Sequence, residues 1–312
     1  MGIYLLKKII HFLIVLSGIS IIVFFLLALS PGDPVRQLLI SAGLEPSVQN
    51  IRQLREEMGF NQPLWQQYLA WAGKILAGDW GHSYRSGQPV LTEILDRVPA
   101  TLLLAVCSVG IALFLSVPLA IMAALQHNKR FDHISRGLSL LGSSLPGFWL
   151  ALLLIYCFSV KIKIFPATGS GDWRHLVLPT LTLALGLTAT YSRFLRTCLL
   201  EVLRQDYILA ARARGISSRR IWLNHILRTG GVSFLTVVAL NFTYLLGGSV
   251  IVEKIFAWPG LGKMVVDAIF DRNYPVVQGY ILFWATGFVL FNLLTDLACT
   301  ILNPRPQPEK EN

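Results

Sequence analysis

Six stretches of the chain run without a formally charged side chain: residues 9–29, 101–125, 137–160, 176–192, 229–252 and 275–295. Each is about the ~17–25 residues that a helix needs to cross a bilayer. A bilayer core satisfies no exposed backbone, so apolar runs of this length predict helices. The pattern therefore predicts an all-α, polytopic membrane protein with six transmembrane helices and both termini in the cytoplasm. Residues 1–30 form the first helix, 31–100 an external loop with amphipathic helices, and 101–303 a five-helix core. The core includes a cytoplasmic loop at 193–228, and 304–312 form a cytoplasmic tail. Lys7 and Lys8 precede the first run as in a secretory signal, but the run is too long and no small-residue cleavage site follows it.

The polar intervals differ in character. In 31–100, Ser47 to Gly59 has the pattern of a short amphipathic helix stopped by glycine. Trp65, Tyr68, Trp71 and Trp80 follow, a density of aromatic residues that fits a helix lying near the headgroups or a helix packed beneath the loop. In 193–228, Asp206–Arg214 reads as a helix, Gly215 as a break, and Ser217 or Ser218 as the cap of a second short helix. Such a basic hairpin suits a docking partner or the acidic headgroups of membrane lipid. The external interval 253–278 has tight turns at Trp258-Pro259-Gly260 and Asn273-Tyr274-Pro275.

Composition agrees with a lipid-solvated chain: 54% hydrophobic, 14% charged, mean hydropathy +0.58. Threading six helices places essentially all of the net charge of +10 on the cytoplasmic side. That is the positive-inside pattern, and it argues against nucleic acid as a partner. The four cysteines, at 107, 157, 198 and 299, form no C-x-x-C pair, so neither a disulfide framework nor a zinc site is expected.

Catalytic machinery is absent from the sequence. Ala257 to Met264 approaches a nucleotide-binding P-loop but lacks its first glycine and final hydroxyl residue, and no G-x-S-x-G or H-E-x-x-H occurs. The six histidines are scattered, and only His82 and His175 lie where an arriving solute would meet them; no metal site is assigned. Asp296 is the one formal charge inside a predicted span, with Asn292 close by. It is read either as a solute or proton site or as the partner of a cytoplasmic arginine. Ser144, Asn241 and Tyr244 complete the candidate translocation path, with helix packing as their alternative role.

The cytoplasmic segment Ala210-Ala211-x-x-x-Gly215 resembles the EAA loop of permeases from binding-protein-dependent ABC importers. An ordered series along nearly the whole chain is similar to the peptide/nickel branch of that family. It comprises Pro31-Gly32-Asp33-Pro34, Asn61-Gln62-Pro63-Leu64, Gly78-Asp79-Trp80-Gly81, Pro99-Ala100-Thr101-Leu102, Leu145-Pro146-Gly147-Phe148-Trp149, Asp206-Tyr207, and Val252-Glu253-x-x-Phe256-x-Trp258-Pro259-Gly260-x-Gly262. The chain departs from the pattern at Leu209, where the motif elsewhere opens on Glu, and at Asn273, where the branch commonly has Asp.

The resemblance implies a type I ABC importer permease fold. It also implies four partners: a second homologous permease, making a heterodimer, two cytoplasmic ATP-binding cassette subunits, and an external solute-binding protein. No cofactor is expected on this chain; ATP and magnesium belong to the ATPases. Ala210, Ala211, Arg212, Gly215, Ile216, Arg219 and Leu223 are the implied ATPase-coupling residues. The segment Thr168–His175 followed by Leu178-Pro179 resembles nickel permeases, which favours nickel, free or chelated, over dipeptides or oligopeptides. Two readings from other classes compete: a secondary carrier or channel using Asp296, and an integral membrane enzyme. A single intramembrane charge, no repeated halves and no acidic cluster stand against both.

Overall fold

The computed structural model describes residues 2–30, 34–41, 43 and 45–302. Their regular structure is helical: α1 (Gly2–Ala28), α2 (Pro34–Ser41), α3 (Val48–Glu57), α4 (Leu64–Leu76), α5 (Val90–Leu95), α6 (Val98–Leu125), α7 (Arg130–Ser144) and α8 (Gly147–Leu154). Then follow α9 (Arg174–Leu203), α10 (Asp206–Ala213), α11 (Ser218–Ile221), α12 (Leu227–Gly248), α13 (Val250–Ile255), α14 (Leu261–Phe270) and α15 (Tyr274–Leu302). Two π-helical turns, Ile155–Lys161 and Trp222–Ile226, extend α8 and lead into α12.

Among the described residues three helical stretches are long and apolar enough to cross a membrane: Val90–Leu125, Ser218–Gly247 and Tyr274–Phe291. A fourth is a bent pair, Arg130–Ser144 with Gly147–Lys161, whose axes differ by 96°. These stretches account for part of the six expected spans. The run 137–160 breaks at Leu145-Pro146, because proline excludes the helical conformation from the residue before it; Leu145 has ψ 126°. Residues 176–192 belong to the 30-residue α9, and the hydroxyl residues Thr180, Thr182, Thr188, Thr190 and Ser192 dilute its hydropathy. Several of these return their hydroxyls to their own helix, as Thr182 does to Leu178 O at 2.8 Å and Thr188 to Ala184 O at 2.7 Å.

The chain divides into two compact units. The first holds residues 1–101 and 259–290. Its core, built on Val90, Ile94, Leu261, Met264, Val277 and Tyr280, packs α5 against α14 and α15. Gly279 makes this approach possible: a Cβ there would lie 2.6 Å from Val90 Cγ1. The aromatic helix α4 is a packing helix in part, since Tyr68 meets Phe24 of α1 edge-on, Trp71 packs tilted against the same ring and the Tyr68 hydroxyl meets Ser20 at 2.9 Å, while Trp65 stays exposed.

The second unit holds residues 102–258 and 291–312. Its larger core joins α6, α9, α12 and the α10–α11 hairpin through Ala112, Tyr191, Leu199, Ile208, Ile221 and Ile226. Helix α7 sits close on α9. The Ser139 and Ser192 hydroxyls are 3.0 Å apart, and a Cβ on Gly142 would lie 3.0 Å from Ala189 Cβ. A smaller cluster, Ala151, Leu154, Leu178, Val252 and Phe256, joins α8 and α13 to α9.

Candidate functional site

The hairpin at 206–223 is built as its sequence dictates. Helix α10 ends in a two-bond turn: Gly215 N–H donates to Arg212 O at 2.9 Å, and Ile216 N–H to Ala211 O at 3.2 Å. This arrangement satisfies the last carbonyls of a helix and requires a left-handed residue just beyond it. Gly215 supplies that residue with φ +74°, and no atom lies within 4 Å of where its Cβ would be. The requirement at 215 is therefore conformational, not steric. Ser217 takes the N-cap position of α11, although its side chain makes no capping hydrogen bond. From Ser218 the chain runs helically through the π-turn into α12.

Burial sorts the coupling residues. Ala210, Arg212, Gly215, Arg219 and Leu223 are exposed and Ile216 is half-buried. Ala211 is 8% exposed and belongs to the core with Ile208 and Ile221. Ala211 thus packs beneath the hairpin surface, unlike its exposed neighbour Ala210. Two residues that the pattern search passed over stand out instead: Tyr207 and Leu209, the latter 68% exposed. With Leu223, 54% exposed, they set apolar side chains among Arg212, Arg214, Arg219 and Arg220. The Tyr207 ring also meets His225 edge-on at 6.3 Å. The signal that would have found Leu209 is its own departure from the motif: an apolar side chain where a solvated carboxylate is usual.

A buried carboxylate ties α9 to the first turn of α7. Asp132 precedes the charge-free run that starts at Gly137, and its side chain is fully buried. Arg196 grips it with two hydrogen bonds, the Nη2–Oδ2 contact being 2.7 Å, and Asn128 N–H donates to Oδ2 at 2.9 Å. Arg196 holds the Asp132 carboxyl down at about 2, so the pair is ionised throughout the physiological range.

Among the described residues no hydrogen bond joins Ser144, Asn241 and Tyr244 to one another. The Ser144 hydroxyl bonds Leu140 O at 2.8 Å on an exposed face, and Asn241 is half-buried with its amide on Val237 O at 2.9 Å. Tyr244 is 69% exposed on the second unit. Asn292 and Asp296 lie on α15 outside the described side chains. Outside the bundle, the His175 ring is taken by its neighbour: Nδ1 is 2.8 Å from Asp172 Oδ1, and that bond lowers the Asp172 carboxyl below its usual range. Gly169 and Gly171 leave room for the ring, and Gly169 N–H binds Phe256 O at 2.8 Å. His175 is thereby a loop clasp. His82 does line a cavity, in the first unit. Among the described residues no group of three or more His, Cys, Asp or Glu is placed to hold a metal ion.

Comparison with known proteins decides what this arrangement belongs to. Residues 116–307 match the family "Binding-protein-dependent transport system inner membrane component", and residues 1–105 match "Binding-prot-dependent transport system membrane comp, N-term". The chain belongs to this family. It is a permease subunit of an ABC importer, a transport component and not an enzyme, and a multi-pass protein of the bacterial inner membrane.

Among curated relatives, the glutathione transport system permease protein GsiC of Escherichia coli (strain K12) is 38% identical over 301 residues, covering 96% of this chain and 97% of its own. The protein of the same name from Shigella dysenteriae serotype 1 (strain Sd197) matches equally. Among solved structures, an inward-facing MetNI methionine ABC transporter chain superposes with TM-score 0.58 at 17% identity, covering 68% of this chain and 97% of that one. An amino acid ABC transporter solved with histidines gives TM-score 0.56 at 16% identity, covering 68% and 94%. These neighbours carry the type I permease fold. The nickel reading of the loop 168–175 gains no support from the relatives, and the His175 ring is already committed to Asp172.

Proposed function

We propose that this chain forms half of the translocation pathway of an ATP-driven importer for glutathione or similarly short peptides. The observation that carries the cargo is the 38% identity, spanning 96% of the chain, to glutathione permeases. A likeness of that extent outweighs a resemblance resting on one eight-residue loop. The partners in this reading are a second homologous permease, two ATPases that bind ATP and magnesium, and an external binding protein.

Coupling runs through the cytoplasmic hairpin. Tyr207, Leu209, Ala210 and Leu223 offer an apolar surface, Arg212 and Arg219 ring it with charge, and Ala211 with Ile208 anchors it to the bundle. Apolar anchors inside a charged rim are how protein interfaces concentrate their binding energy. ATP-driven closure of the ATPases moves the hairpin, and the bundle follows because partner binding favours one of two states.

The test is uptake by a strain deleted for this gene, with radiolabelled glutathione and radioactive nickel in parallel. Loss of glutathione uptake, restored by the gene on a plasmid, is expected. Unchanged glutathione uptake alongside lost nickel uptake would overturn the cargo.

A further inference from the structure

The first unit holds an open cavity of about 830 Å³, within the range of roughly 300–1,000 Å³ common for small-molecule sites. Its lining comes from α1, Leu38 of α2, Arg55 of α3, the α3–α4 turn, α4, the loop 79–87 and the start of α15, all within that unit. One wall is aromatic and apolar, with Phe24, Leu27, Trp71 and Trp80.

The start of α15 adds polar groups to the lining. Gln278, only 8% exposed, lines the cavity. One turn earlier on the same face of α15, the buried Tyr274 hydroxyl lacks a hydrogen-bond partner among the described residues. Leaving a buried polar group unsatisfied costs about 1–3 kcal/mol, so this hydroxyl marks a place where something polar binds.

The rim supplies charge of both signs. Lys74 and Asp79 both line the cavity and are fixed relative to one another by the turn that ends α4: Asp79 N–H donates to Lys74 O at 2.9 Å, and Gly78 N–H to Ile75 O at 3.0 Å. Among the described residues Lys74 forms no ion pair, and Asp79 uses Oδ1 to accept Gly81 N–H at 2.9 Å. An ammonium and a carboxylate on one rim, amide-type groups within and an aromatic wall complement a short zwitterionic peptide. A lipid tail would need no amide, and a metal ion would need ligands that this cavity lacks.

We infer that the cavity is a peptide-receiving site of the permease itself. Gln278 and Tyr274 bond the peptide backbone, Lys74 takes a carboxylate and Asp79 an ammonium group. This rests on the short-peptide cargo proposed above.

The experiment uses the purified permease–ATPase assembly in nanodiscs without binding protein, titrated with isotope-labelled glutathione and, separately, labelled trialanine. Saturable binding is expected, weakened about tenfold by the volume-matched Gln278→Leu and severalfold by the rim variant Lys74→Met. Equal binding by all three proteins, or no binding by the wild type, would overturn the site. A phospholipid retained by the wild type and released from Gln278→Leu in native mass spectrometry would overturn it in favour of lipid. Glutathione uptake by the complete system is measured in parallel. If the wild type transports glutathione yet fails the binding test, the cavity assignment falls and the cargo stands. If it binds trialanine but transports no glutathione, the cargo falls and the cavity stands.

Discussion

Two glycines hold the two ends of this protein's work in place, for opposite reasons. Gly215 turns the cytoplasmic hairpin with φ +74° and has open space where a side chain would go. Gly279 sits in regular helix and has no space at all, with Val90 Cγ1 2.6 Å from a would-be Cβ. The hairpin is shaped by its backbone and leaves its outer surface free for a partner. The first unit is shaped by side-chain packing and tolerates no addition. The hairpin proposed to meet the ATPases and the unit that holds the cavity should therefore fail in different ways when altered.

Substitutions can separate these modes. The largest effect is expected from Gly279→Leu, which drives four carbons into Val90, Ile94 and Trp80. Overpacking costs about 1–3 kcal/mol and occasionally more, so this variant should be lost from the membrane fraction on immunoblots. Ala211→Asp comes next, because it places a carboxylate in an apolar core at a cost of several kcal/mol. Its melting temperature in detergent should fall sharply; an unchanged value would return Ala211 to the surface.

Gly279→Ala should still destabilise measurably. Gly215→Ala should cost only about 1–2 kcal/mol through left-handed strain, and Gly215→Asn less, because asparagine adopts that conformation more readily. Equal sensitivity of Gly215 to Ala and Asn would break the contrast. Leu223→Asp should leave melting within about 0.5 kcal/mol, as surface changes do, yet abolish peptide-stimulated ATP hydrolysis by the assembled complex.

The smallest effect concerns acid. The Asp132 carboxyl is lowered from 3.8 to about 2 by its hydrogen bonds from Arg196. A depressed carboxylate stabilises the fold above its unfolded value and loses that contribution as pH falls from about 4 towards 2. Melting should therefore be insensitive to this group between pH 8 and 5. The acid limb should shrink in Asp132→Asn.

Much of this was legible from the chain. The hairpin could be read because its determinants are local: a helix pattern, Gly215, and a serine before the next turn. The bend at Leu145-Pro146 was masked because a charge-free run measures length and not direction, although proline there already excluded a straight helix. His175 looked available because a linear pattern does not show Asp172 reaching back to its ring. The cavity was illegible, since Phe24, Lys74, Gln278 and their neighbours converge only through packing. Ala211 and Ala210 look alike in sequence, and only the fold distinguishes the residue that anchors from the residue that faces out.

The unbroken helical path from Ser218 to Gly247 has a mechanical consequence. Its 30 residues, at about 1.5 Å each, make a rod about 45 Å long. Turning such a rod by roughly 5° about one end displaces the other by about 4 Å, more than the diameter of a water molecule. A flexible linker between hairpin and membrane would dissipate that motion as bending. Here Leu223, part of the surface proposed to meet the ATPases, lies on the rod itself, so in that reading a small angular stroke at one end becomes an atomic-scale displacement at the other.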